Sequence, residues 1–105
     1  MSRIVRPSLQ VVGYARRLAP GPRRAIKQAL RELREERGDI CALEAKLSGY
    51  YRLRVGRHRI IFNYAADGSI EALFIEERQL VYEVFEAQFI NRLKQGGKGG
   101  GAEKR

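Results

Sequence analysis

Tyr50–Tyr64, YYRLRVGRHRIIFNY, is the stretch whose reading decides the fold. It is a β-hairpin. With Gly56 and Arg57 as the two turn residues, Val55 opposes His58, Arg54 opposes Arg59, Leu53 opposes Ile60, Arg52 opposes Ile61 and Tyr51 opposes Phe62. Glycine suits the first turn position, where a type II′ turn needs positive φ. Side chains alternate along a strand, so Tyr51, Leu53, Val55, His58, Ile60, Phe62 and Tyr64 share one apolar face, and Tyr50, Arg52, Arg54, Arg59, Ile61 and Asn63 share the other. The single histidine, His58, falls on the apolar face and reads as a core residue flanking the turn.

The second face carries no acidic residue between Tyr50 and Arg59, and it sets Arg54 directly against Arg59. Like charges in an opposed cross-strand pair are destabilising, which points to an external anion as compensation. Guanidinium groups offer planar, paired donors that fit phosphate and stay charged at any physiological pH. An RNA phosphate site on a sheet is one reading. A solvated outer face, where basic residues block strand-to-strand aggregation, is the other.

Outward from the hairpin, the 105 residues suffice for one small domain, expected over 1–94, with 95–105 a glycine-rich, basic, disordered tail. Lys and Arg number 21 against 12 Asp and Glu, a net charge of +9 that favours a polyanionic partner. No apolar run approaches the roughly 20 residues of a membrane span, and Met1–Arg6 is not followed by a secretory apolar segment, so a cytoplasmic protein with no membrane partner is expected. One cysteine and one histidine exclude an internal disulfide and a Cys/His metal set, and Cys41 reads as a small apolar filler.

Arg3–Arg6 is expected to form a short strand ended by Pro7, and Ser8 to cap a helix running to about Leu18. Ala19–Pro22 (APGP) breaks the chain. Ile26, Ala29, Leu30 and Leu33 then form one apolar stripe on a helix over Arg23–Arg37, ended by Gly38 and Asp39. Ala42–Lys46 is either a short turn or an extended arm. Asp67–Gly68 turns the chain into a third strand, Ser69–Ile75, with Ile70, Ala72 and Phe74 on one face. Gln79–Leu93 has helical spacing of Val81, Val84, Phe85, Phe89 and Leu93. The expected fold is α+β: a small antiparallel sheet, made of a three-strand meander and a short N-terminal strand, with two N-terminal helices packed on it and a C-terminal helix, the helices lying on one sheet face.

Three stretches in this order, Leu18–Leu33 (LAPGPRRAIKQALREL), Leu47–Tyr64 (LSGYYRLRVGRHRIIFNY) and Phe74–Phe85 (FIEERQLVYEVF), resemble the RelE/ParE superfamily of toxins from bacterial type II toxin–antitoxin systems. The middle stretch is the most specific, with its Leu-x-Gly before a basic strand, its Val-Gly turn, and Arg followed by apolar residues. Members share a fold but not an activity. RelE-like members cut messenger RNA in the ribosomal A site; ParE-like members poison DNA gyrase.

The resemblance implies a metal-independent mRNA endoribonuclease (an mRNA interferase) that inhibits translation, with no cofactor. Its partners would be a cognate antitoxin, the ribosome and mRNA. The alternatives are a ParE-like gyrase inhibitor and an inactive homologue that only binds its antitoxin. Residues matching the nuclease pattern are Arg52 and Arg54, Arg59, Arg78 and Tyr82. The chain carries arginine at both Arg52 and Arg54, where relatives often have lysine, and Glu77 before Arg78, where many have histidine; Glu77 is read either as the base or as a helix N-terminal carboxylate paired with the neighbouring arginine. Tyr50, Arg57, Arg24 and Lys27 are candidate RNA contacts. Val84, Phe85 and Phe89 are read either as antitoxin docking surface or as core.

Overall fold

A computed structural model describes residues 2–77, 80–85 and 87. Its hairpin has the expected register: β3 (Tyr51–Val55) pairs with β4 (His58–Tyr64), with Tyr51 against Phe62, Leu53 against Ile60, Arg54 against Arg59 and Val55 against His58. Gly56 has φ 63°, as the first position of the turn requires. β4 continues into β5 (Ile70–Glu77) through a turn in which Gly68 takes positive φ and Asp67 accepts from the Ser69 amide.

The sheet has five strands in the order β1-β5-β4-β3-β2, so the meander is widened on both sides. β1 (Val5–Pro7) lies parallel to β5 and includes Pro7, one residue beyond the expected stop. β2 (Asp39–Ala42), which the sequence reading did not contain, is an antiparallel edge strand on β3, and the segment left open, Ala42–Lys46, runs from its last residue into a 3-10 turn at Ala45–Leu47. Cys41, expected as buried filler, is exposed on this edge.

Two helices cover the first face of the sheet. α1 (Leu9–Arg16) is capped by Ser8, whose hydroxyl accepts from the Val11 amide at 3.2 Å. Where β1 ends, α1 completes the edge of β5: the Ser8 hydroxyl donates to the Leu73 carbonyl, and the Gln10 amide both donates to and accepts from the Ile75 backbone. α2 (Pro20–Leu33) begins inside the APGP run, because Pro20 and Pro22 have no amide hydrogen to lose in a first helical turn.

α2 stops at Leu33 instead of running to Arg37. The Glu36 amide bonds back to the Leu33 carbonyl and the Arg37 amide to Glu32, closing a Schellman turn with Glu36 in the left-handed conformation at φ 58°. Glycine usually fills that position; here the Glu36 carboxylate is anchored instead, by Arg3 at 2.8 Å and the Tyr64 hydroxyl at 2.8 Å. Beneath the two helices Val11, Ile26, Leu33, Leu53, Ile60, Phe62, Ile70, Ala72 and Ile75 form the larger core. Each large side chain so buried contributes about 1.5–3 kcal/mol.

α3 (Leu80–Phe85) lies on the opposite face, which corrects the expectation of helices on one face only. Val81 and Phe85 pack there on Ile61 and Phe74, flanked by Leu43, Leu47, Tyr50 and Leu73. Phe74 was expected beside Ile70 and Ala72. Instead a β-bulge intervenes: Phe62 pairs with Ala72 but Ile61 pairs with Phe74, so Leu73 is an extra residue and the alternation of β5 shifts by one from there on. The expected extension of the last helix to Leu93 and the 95–105 tail lie outside the described residues, as do Arg78 and Phe89.

Burial first, and then the hydrogen bond to Glu36, push the Tyr64 hydroxyl up to about 12. The unfolded chain loses this proton near pH ~10, so Tyr64 contributes its full share of stability below that pH and loses it as pH rises from ~10 to ~12. Tyr64→Phe is therefore expected to flatten the fall in urea midpoint across that window. An equally steep fall in the variant would show that the loss originates elsewhere.

Candidate nucleic-acid interface

The register places Arg52, Arg54 and Arg59 on the second face, the face that α3 covers in part. Four strands contribute one row across it: Asp39 on β2, Arg54 on β3, Arg59 on β4 and Glu76 on β5. The opposed arginines are therefore flanked by carboxylates on both sides. Asp39 Oδ2 lies 2.9 Å from Arg54 Nε, and its Oδ1 lies 3.5 Å from Arg52 Nη2. Part of the compensation expected from an external anion is thus internal.

The same contacts show that two guanidiniums from adjacent positions on one strand face converge on one anionic group. Their surroundings differ: the Arg52 side chain is 16% exposed and Arg54 52%. Arg52 pairs with Ile61 beside the smaller core, while Arg54 stands in the next row toward the turn. Arg59 is half-buried and makes no ion pair among the described residues. Tyr82 is also half-buried, packed against the smaller core on the helix that covers this face.

Glu77 does not share the arginine face. The bulge at Leu73 pairs Glu77 with His58 and Glu76 with Arg59, so Glu76 is the carboxylate beside the arginines. Strict alternation from Ile70 would have reversed the two. His58 is buried, its Nδ1 3.0 Å from the Tyr14 hydroxyl and the two rings edge to face, which bears out its reading as a core residue. Burial, then the carboxylates of Glu77 and Glu76, raise the Tyr14 hydroxyl above its ordinary range.

The remaining candidates separate. Arg57 is exposed at the hairpin turn, but Arg24 and Lys27 belong to α2 on the other side of the sheet. Tyr50 packs edge to face on Phe85, 5.3 Å between centroids, so its ring is not an open stacking platform. Phe85 is fully buried and Val84 half-buried against the same cluster, which makes Phe85 core in the free chain. Asp39 and Glu76 were missed in the sequence because they lie on other strands and only the register brings them to the arginines. Among the described residues no three histidine, cysteine, aspartate or glutamate side chains group to hold a metal ion, and no helix is long and apolar enough to cross a membrane.

A two-layered helix pair on a five-stranded sheet, with a third helix and an arginine row on the far face, is the RelE-like fold, found in toxins solved with and without their antitoxins. The toxin–antitoxin complex RelBE2 of Mycobacterium tuberculosis contains a chain matching this one at a TM-score of 0.65 and 20% identity, over 74% of this chain and 100% of that one. The RelE–RelB complex of Pyrococcus horikoshii matches at 0.62 and 26%, over 75% and 98%. A RelE double mutant of E. coli in the free state matches at 0.64 and 16%, over 89% and 99%. No model of a protein family matches the chain, and no curated protein matches it. The likeness supports a place in the RelE-like toxin superfamily.

Proposed function

We propose that the chain is the toxin of a type II toxin–antitoxin pair, held in check by a cognate antitoxin, and that it is an endoribonuclease that cuts messenger RNA on the ribosome and so stops translation. The observation that carries the nuclease reading is the convergence of Arg52 and Arg54 on the single carboxylate of Asp39, with Arg59 directly opposite Arg54. A pair of guanidiniums arranged to hold one carboxylate is arranged equally well for one phosphate.

The chemistry is transesterification within the RNA. The 2′-OH gives up its proton as its oxygen bonds to the adjacent phosphorus. The bond from phosphorus to the 5′ oxygen breaks, that oxygen takes a proton, and a 2′,3′-cyclic phosphate and a 5′-OH end result. Negative charge grows on the phosphorane, where Arg52, Arg54 and Arg59 stabilise it. Glu76, on the arginine face and without an ion pair among the described residues, is the carboxylate suited to take the 2′-OH proton. Arg78 matches the family's donor to the leaving oxygen, and Tyr82 matches the residue that orients the nucleotide.

Induced expression of the wild type and of an Arg54→Ala, Arg78→Ala double variant, with growth and messenger RNA 5′ ends followed together, tests this. The wild type is expected to stop growth and to create 5′-OH ends inside reading frames, and the folded variant to do neither. Arrest with intact messages and accumulating DNA breaks would replace the nuclease by a gyrase poison. No effect at all would leave a chain that only binds a partner.

A further inference from the structure

Along β4, Arg59 lies between His58 and Ile60, both of which face the other side of the sheet. Each of these neighbours belongs to a rung that α1 holds. Ile60 is opposite Ile75, and the Gln10 side-chain amide donates to the Ile75 carbonyl at 2.9 Å and accepts from the Ile75 amide at 2.8 Å. His58 is opposite Glu77, and its Nδ1 is 3.0 Å from the Tyr14 hydroxyl, with the two rings edge to face at 5.6 Å. Gln10 and Tyr14 are four residues apart on α1, so one helix face reaches both rungs. The rung between them is Arg59–Glu76. On its own face Arg59 is supported from one side only: Ile61 of the smaller core is two residues on, but two residues back is Arg57, exposed at the turn. Directly opposite is Arg54, a like charge. His58 is therefore the anchor of this end of the hairpin: it is buried, it pairs with Val55 next to Arg54, and it precedes Arg59.

We propose that Tyr14 is a positioning residue for RNA cleavage: by holding His58 it fixes the end of the hairpin, and with it the guanidiniums of Arg54 and Arg59. The proposal rests on the nuclease reading of the arginine row and adds to it a residue from the opposite face of the sheet. Tyr14 packs on the larger core, so it acts on the arginines only through the strands. Donors aimed at a developing charge are effective because they are held in place beforehand, and a displacement of about 1 Å can cost about a hundredfold in rate. The hydroxyl is what fixes the imidazole. A buried ring nitrogen without a partner is costly, so His58 stays where Tyr14 meets it. Phenylalanine in place of Tyr14 would fill the same space and keep the edge-to-face contact while losing the hydrogen bond.

Tyr14→Phe in the full chain tests this with two readouts, cleavage of messenger RNA on ribosomes and the arginine Nε–Hε signals in proton–nitrogen NMR spectra. kcat is expected to fall about tenfold with KM within about twofold of wild type, because the displaced guanidiniums matter most to the charge that grows in the transition state. The Arg54 and Arg59 signals should move, while that of Arg24, on α2, stays. Ile26→Val is the control for stability alone: Ile26 is buried in the same core but on α2, away from the Tyr14–His58 bond, so kcat and the arginine signals should keep their wild-type values. In a His58→Leu background, Tyr14→Phe should add less than about a twofold further loss, since the two residues act as one link. Wild-type kcat in Tyr14→Phe, slowed cleavage with both arginine signals unmoved, or an equal slowing by Ile26→Val would each overturn the proposal. If the wild type cuts no RNA, the nuclease reading fails separately; moved Arg54 and Arg59 signals would then leave the Tyr14 link standing, and unmoved ones would overturn it too.

Discussion

Alanine at Arg54 is expected to slow RNA cleavage about a hundredfold or more, the usual consequence of removing one preorganised donor from a developing oxyanion. The side chain is half-exposed and its bond to Asp39 lies at the surface, so stability should change by less than about 1 kcal/mol. A large loss of rate with a melting temperature within about 5 °C of wild type would separate chemistry from folding. Lysine should not restore the rate, since one ammonium cannot reproduce the two-point grip that guanidinium has on phosphate. Asp39→Asn should act in the opposite direction on binding: it removes the carboxylate that engages both Arg52 and Arg54, and RNA affinity should rise with a steeper dependence on salt. Weaker RNA binding by Asp39→Asn would mean that Asp39 holds the arginines in position and does not compete with phosphate for them.

The largest effect on stability is expected at Gly38. It has φ 132°, and a Cβ there would lie 2.7 Å from Leu53 Cδ1. Leu53 is buried in the larger core and held by its pairs to Ile40 and Ile60, so it cannot retreat. Backbone strain and overpacking each cost about 1–3 kcal/mol, and Gly38→Ala should lose about 3 kcal/mol in a urea titration. That corresponds to roughly 15 °C in melting temperature for a domain of this size. Gly56→Ala is the control: φ is also positive there, but nothing lies within 4 Å of the added carbon, so the loss should be about 1 kcal/mol. Equal losses at the two sites would mean that contact with Leu53 contributes nothing.

The hairpin register was legible because a glycine sat where the turn needs one and apolar residues alternated on both sides of it. What escaped depended on residues that satisfy two patterns at once. Leu73, Phe74 and Ile75 are consecutive apolar residues, compatible with either phase of a strand, so the bulge was invisible, and with it the pairing that sets Glu76 beside Arg59 and Glu77 beside His58. β2 is four residues long with a polar start and an exposed outer edge, too short to show a period. The end of α2 was misplaced because Glu36 occupies a position normally marked by glycine; the signal was the distant pair Arg3 and Tyr64 that holds it there. The counter-charges of the arginine site come from β2 and β5, so the site's electrostatics were not readable from β3 and β4 alone.

In a strand, losing one residue ordinarily turns every later side chain to the wrong side of the sheet. At Leu73 the arithmetic is reversed. Because it is the supernumerary residue of β5, its removal would make Phe74 follow Ala72 in plain alternation, with Ile75, Glu76 and Glu77 still facing as they do and still opposite Ile60, Arg59 and His58. The reading frame of the sheet therefore contains one position where a codon can be dropped without turning what lies downstream to the other face.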